Sequence, residues 1–144
     1  MERATLDLTN PKQAHMDARL RTEPTIWLCS VRPNGRPHLV PVWFTWDGET
    51  ITIFSQPGNQ KLHNVEHNPS VILALDTADE GFDMVQIEGH AELLDDPMVT
   101  PEMPAYADKY REMAAQRMGI GMDIYARQVS QAIRVTPTRF RSAY

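Results

Sequence analysis

The chain contains a single cysteine, Cys29, so no disulfide framework can form within it. Cys29 lies in an apolar run, residues 25–31, where a small thiol is expected as a buried hydrophobe. A catalytic thiol would want a base or cation beside it, and the local sequence offers none. No run of about 18 apolar residues occurs, so no membrane span is expected. Residues 1–7 lack the basic stretch followed by an apolar one that marks a secretory signal, and a cytoplasmic location is the default expectation. Positive charge is also sparse: Lys and Arg total 14 against 19 Asp and Glu, for a net charge of −5. Without a basic stripe, nucleic acid is not an expected partner. A small anionic ligand stays open, because it answers to local rather than net charge.

Several chemical motifs are absent as well. There is no G-x-S-x-G, no P-loop and no G-x-G-x-x-G. Gly119-Ile120-Gly121 lacks the preceding strand that a dinucleotide site requires. His63 and His67 are four apart, as metal ligands can be, but no acidic or cysteine partner has matching spacing, so no metal site is expected. With no evident nucleophile or metal, catalysis would need an imported cofactor, the protein supplying binding and orientation.

What is present is ordinary globular composition, 42 % hydrophobic and 23 % charged over 144 residues, enough for one core and one domain spanning 1–144. Residues 6–22 read as a helix, with Asn10 and Pro11 as cap and first-turn residue. Residues 25–31 are β-branched and aromatic, a strand. Asn34-Gly35 is a strong hairpin signal. A return strand over 38–46, the turn Asp47-Gly48 and a third strand over 50–55 then suggest an antiparallel meander. A short helix is expected over 60–67, capped by Asn59, with Leu62 and Val65 facing the core. Asn68-Pro69 ends it. Strand four covers 70–76, and residues 77–81 form an acidic turn. Strand five, 83–94, alternates strictly: Val85, Ile87, Gly89, Ala91 and Leu93 on one face, Gln86, Glu88, His90 and Glu92 on the other, the mark of one buried and one polar face. A helical segment over 101–130 offers Met103, Tyr106, Tyr110, Met113 and Met118 to a core. A last strand starts at Gln131, and residues 139–141 may extend it after Pro137. Five or six antiparallel strands with helices between them favour closure into a barrel, which removes exposed edges.

Three features carry chemistry. Residues 55–64 run from a strand end through a Gly-containing turn into a helix with Lys61 in its first turn. Such a turn aims backbone N–H groups at one spot, and the helix dipole favours an anion there. A lysine opposes that dipole at a cost of about 0.3–1 kcal/mol, which makes sense if Lys61 faces a phosphate. A solvated surface lysine on a capped helix is the competing reading. Pro41 cannot donate to a ladder, so it marks an edge or bulge where a ligand can meet backbone. Trp43 and Trp46 lie on opposite strand faces, for core or dimer-interface packing.

The order of these elements resembles the pyridoxamine 5′-phosphate oxidase-like family, and within it the branch using FMN or the deazaflavin coenzyme F420. Residues 35–44, 55–65, 68–71, 87–93 and 133–139 carry the resemblance, which covers roughly 20–140. It implies a mainly β fold with α, a split β-barrel of six antiparallel strands in Greek-key order with flanking helices. It also implies a homodimer with two cofactor sites at its interface. By the same resemblance Val40, Pro41 and Val42 contact the cofactor ring system, while Ser55, Asn59, Gln60 and Lys61 hold its phosphate. Many members carry two adjacent cations at this helix start; here Gln60 replaces the first. The residues that bind pyridoxamine phosphate near the family's C-terminus are not recognisable.

The function this implies is an oxidoreductase that uses F420 to reduce a small electron-poor molecule by hydride transfer. Arg36, Arg134, Arg139 and Arg141 are candidates to meet the carboxylates of the F420 tail. The alternatives are an FMN-dependent oxidase or reductase, and a non-catalytic flavin or haem carrier with His38, His63 or His90 as axial ligand.

Overall fold

The computed structural model describes residues 2–142; Met1 and the last two residues, which the expected domain range includes, lie outside the described residues. The elements in order are α1 (Pro11–Thr22), β1 (Ile26–Val31), β2 (Pro37–Val42), β3 (Thr45–Trp46), β4 (Ile51–Ser55), α2 (Gln60–His67), β5 (Ser70–Ala74), β6 (Val85–Leu94), α3 (Pro104–Met118), α4 (Met122–Gln128) and β7 (Gln131–Ser142). A single 3₁₀ turn, Asp79–Gly81, sits between β5 and β6.

The strands form one seven-stranded sheet in the order β2-β1-β5-β6-β7-β4-β3, and every pair is antiparallel. The sheet's two outermost strands, β2 and β3, are joined in sequence by Trp43 and Phe44 alone. Consecutive Cα atoms are 3.8 Å apart, so this link holds the two edges together and the sheet must curl into a barrel with a split at Trp43–Phe44. This is the split barrel expected from the sequence, with seven strands instead of six because the predicted second strand breaks in two.

The meander survives only as two separate hairpins: β2 pairs with β1 and β3 with β4, while the body of β4 lies beside β7 rather than β2. The backbone at the split turns to α3 instead of to a ladder. Phe44 N donates to the Tyr110 hydroxyl at 2.8 Å, and that hydroxyl lies 2.7 Å from Pro24 O and 2.9 Å from Phe44 O. Tyr110 thus satisfies polar groups that barrel closure leaves without partners.

One core fills the barrel. Ile26, Leu28, Ile51, Ile53, Leu73, Ile87, Ile133 and Val135 come from the strands, Leu62 and Val65 from α2, and Met16 and Leu20 from α1. A second cluster lies where α3 and α4 cover the outer face of β4 and β7: Phe54, Tyr106, Tyr110, Tyr125 and Ala132, with Trp43 stacked on Tyr110 at 4.5 Å and 5°. The opposite faces expected for Trp43 and Trp46 put Trp46 in the first core and Trp43 against the second. At Gly89 the β6–β7 register shifts. A Cβ there would stand 2.7 Å from Val135 Cγ1 and 3.0 Å from Thr136 O, so only glycine permits this close approach.

Further corrections are local. α1 starts at Pro11 rather than residue 6, because Asp7 closes a turn onto Thr9 and Asn10 while Asn10 caps the amides of Lys12 and Gln13. Met103 and Met118 are exposed, since α3 points its tyrosines rather than its methionines at the sheet. Cys29 is half-buried on the outer sheet face and not in the core, because its strand neighbours Leu28 and Ser30 take the inward positions.

Candidate functional site

β4 ends at Ser55, which is buried and donates its hydroxyl to Gln56 O at 2.9 Å. Gly58, at φ +82°, turns the chain, a conformation that costs glycine nothing. Asn59 then starts α2 in extended geometry, but its side chain makes no capping bond. The helix therefore has the expected bounds while its first amides are left without a side-chain acceptor.

Gln60 is exposed, yet its side-chain amide is engaged within the helix. Its Nε2 donates to Asn64 Oδ1 at 2.8 Å, and Asn64 Nδ2 donates to Ser30 Oγ at 2.9 Å. Ser30 and Asn64 are fully buried. This chain of hydrogen bonds ties the start of α2 to β1, directly beneath β2, because Ser30 is the register partner of His38.

Lys61, expected on the exposed side of its helix, is half-buried. It makes no ion pair among the described residues, and burial pushes its ammonium below the usual lysine range. His38 lies close enough to feel it. The His38 ring is held below the usual histidine range by burial first, then by the charges of Arg32 and Lys61. Two polar atoms of this group, His38 Nδ1 and Arg32 Nε, are buried without a hydrogen-bond partner. Arg32 sits at the base of the β1–β2 hairpin, where its backbone bonds Arg36 and Gly35.

Three nitrogen-bearing side chains from three elements thus converge with no carboxylate among them. A buried donor without an acceptor is costly, and clustered cations repel, so the chemical complement of the arrangement is an anion with several acceptor oxygens. A phosphate fits those donors. The sequence reading named Lys61 but not Arg32, which joins it only through the shared effect on His38 once the hairpin has folded. A basic residue on the flank of an Asn-Gly turn was the only available signal.

Val40, Pro41 and Val42 follow His38 along β2, the last strand of the sheet, whose outer row of backbone groups has no ladder partner among the described residues. Val40 is half-buried, Pro41 exposed and Val42 buried. At about 3.3 Å per residue, they lie roughly 7–13 Å along the strand from His38. The remaining candidates scatter. Arg139 and Arg141 reach Glu88 at 3.7 and 3.5 Å, Arg36 is exposed, and Arg134 Nε is buried without a partner. His63 is exposed on α2, away from the cation cluster's inward side, and His90 lines a cavity of about 360 Å³ with Cys29, Ile72 and Thr138. Among the described residues no group of three His, Cys, Asp or Glu side chains is placed to hold a metal ion, and no helix is long and apolar enough to cross a membrane.

The sequence matches the pyridoxamine 5′-phosphate oxidase family over residues 13–143. The chain belongs to that family. No curated protein matches it. Among solved structures, one named F420 reductase is similar at 25 % identity and a TM-score of 0.65, covering 87 % of this chain and 94 % of that one. The conserved hypothetical protein Rv2991 of Mycobacterium tuberculosis is 24 % identical with a TM-score of 0.65, covering 99 % and 89 %. HutZ, a haem storage protein of Vibrio cholerae, is 15 % identical with a TM-score of 0.61, covering 96 % and 95 %. The last two likenesses speak for the shared fold alone. Structures that share this fold thus include one named as an F420 reductase and one named as a haem storage protein.

Proposed function

We propose that this member of the pyridoxamine 5′-phosphate oxidase family is a reductase that uses coenzyme F420. The observation that carries the reading is the Arg32–His38–Lys61 group, with its orphaned buried donors and no carboxylate. Arg32 and Lys61 hold the cofactor phosphate, helped by the uncapped amides at Asn59, Gln60 and Lys61. Ser55 shapes the turn below them, and the free edge of β2 at Val40, Pro41 and Val42 orients the ring system. The distance along β2 suits a ring joined to its phosphate by a sugar-alcohol arm.

The bound deazaflavin supplies a hydride to a small electron-poor molecule. The chain's own residues bind, orient and exclude water. Arg36 and Arg134 are the remaining candidates to meet an anionic tail, Arg134 through its unpartnered Nε. The similarity to an F420 reductase supports this choice. The same phosphate group would also serve FMN, and that is the second reading.

The site is completed in a homodimer. On the outer face of the sheet, Leu39, Cys29 and Ile72 are register neighbours, as are Pro41, Trp27 and Ala74. Leu39 is 60 % exposed, and Trp27 and Ile72 are also exposed. A contiguous apolar surface of this kind beside a binding edge fits a second copy of the chain.

The test is a spectroscopic titration of the purified protein with F420, FMN and haem, run beside turnover with each reduced cofactor on enones, quinones and nitro compounds. Tight F420 binding with F420-supported turnover is the expected result. A Soret band with no flavin or deazaflavin binding would mean a haem carrier instead.

A further inference from the structure

A second half-buried lysine without an ion pair among the described residues stands at the split, beside Phe44. Lys109 projects from α3 into a cavity of about 510 Å³ that is also lined by Arg21 and Thr22 of α1, Thr45 and Trp46 of β3, and Ala105 and Asp108 of α3. Its ammonium lies 4.0 Å above the centre of the Phe44 ring and donates to Phe44 O at 3.0 Å. It makes no ion pair among the described residues. The charged groups around it are already engaged: Asp17 holds Arg21 at 2.9 Å and Trp46 Nε1 at 2.8 Å, Glu23 pairs with Arg19, and Asp108 with Arg111.

We propose that Lys109 is a covalent capture site for a small aldehyde bearing an anionic group, held as an imine in this cavity. The neutral amine adds to the carbonyl carbon and forms the C–N bond. The carbinolamine then loses its hydroxyl together with the nitrogen-bound proton as water, leaving C=N, and no oxidant or reductant is consumed. Arg21 supplies the charge that holds the anionic end. The hydroxyls of Thr22 and Thr45 offer hydrogen bonds, and Trp46 and Phe44 wall the site with apolar surface. Desolvated lysines are among those that form such adducts. Asp17 engages Arg21 through Nε, which leaves the terminal NH groups of Arg21 to meet the anion. Burial lowers the Lys109 pKa to about 8, against a smaller opposing pull from Glu23. At pH 8 an ordinary lysine is less than about 1 % neutral. The larger neutral fraction of Lys109 outweighs the lower nucleophilicity that accompanies a lower pKa, for a net gain of about tenfold.

The chain has Lys12, Lys61 and Lys109 as its lysines, so each serves as an internal control. The protein is incubated at pH 8 with glyoxylate or with acetaldehyde, reduced with borohydride, and mapped by peptide mass spectrometry. Lys109 should be labelled by glyoxylate about tenfold faster than the exposed Lys12. Arg21→Gln should slow glyoxylate labelling of Lys109 several-fold while leaving acetaldehyde labelling unchanged. Equal labelling of Lys109 and Lys12 in the wild-type protein overturns the proposal. So does an Arg21→Gln variant that slows both aldehydes alike, which would mean that Arg21 only shapes the amine's surroundings.

Discussion

Lys61 and Arg32 are costly residues to leave half-buried without an ion pair, and the proposed cofactor phosphate would offset that cost for both. A charge-assisted hydrogen bond contributes about 1.5–3 kcal/mol. Lys61→Ala and Arg32→Ala should each weaken binding of the phosphate-bearing cofactor by roughly tenfold or more, read by titration. Unchanged affinity in both variants would place the phosphate elsewhere. His38 offers a second reading of the same field. Its pKa is lowered by burial, Arg32 and Lys61, so its folded value lies below the unfolded value of about 6.5. The neutral ring therefore contributes stability that is present above the unfolded value and is lost as pH falls through it towards the folded pKa. A bound phosphate offsets the two cations, raises the His38 pKa and couples binding to proton uptake. NMR titration should show the ring titrating below the ordinary range in the free protein and higher in the complex. A His38 pKa that the cofactor does not move would separate it from the site. From sequence, Lys61 is named as a phosphate candidate because its signal is local, a strand end, a glycine turn and a helix start, while His38 is named only as a possible haem ligand. Arg32 and His38 join it through tertiary placement, and Gln60 reads as a missing cation until its bond to Asn64 is seen.

At the scale of elements, local patterns were legible and pairing was not. The alternation of β6 appears residue for residue, with Val85, Ile87 and Ala91 buried, and α2 occupies its expected span, because Asn-Pro and Pro-Gly punctuate it. The meander held at its two turns but not in its middle strand, because hairpin signals specify a turn but not which strands meet across the barrel. Closure placed β7 beside β4, and the link Trp43–Phe44 broke the second strand. Tyr110 holds that break. Tyr110→Phe keeps the ring stacked on Trp43 but leaves the fully buried Phe44 N–H without its acceptor. Urea unfolding should show a loss of about 1–3 kcal/mol. A variant as stable as the wild type would show that the split needs no such clamp.

The whole molecule presents a curled sheet that leaves Leu39, Trp27 and Ile72 exposed on its outer face, the surface the proposed dimer would cover. Sedimentation should find a dimer at micromolar concentration, and a stable monomer would contradict the shared site. The excess of large apolar residues that suggests dimerisation from sequence is only partly left over by the fold: Trp46 fills the core and Trp43 stacks on Tyr110, whereas Trp27 stays at the surface. In the proposed reading cofactor choice is a property of the assembled molecule, since the tail of F420 would extend past the phosphate towards arginines that no single element collects. Equilibrium binding of F420 and FMN to the wild-type protein at low and high salt, with turnover measured beside it, decides the matter most directly. F420 should bind more tightly than FMN, lose affinity as salt screens its anionic tail, and support reduction. Tighter binding of FMN, with turnover supported by FMN alone, would contradict the assignment.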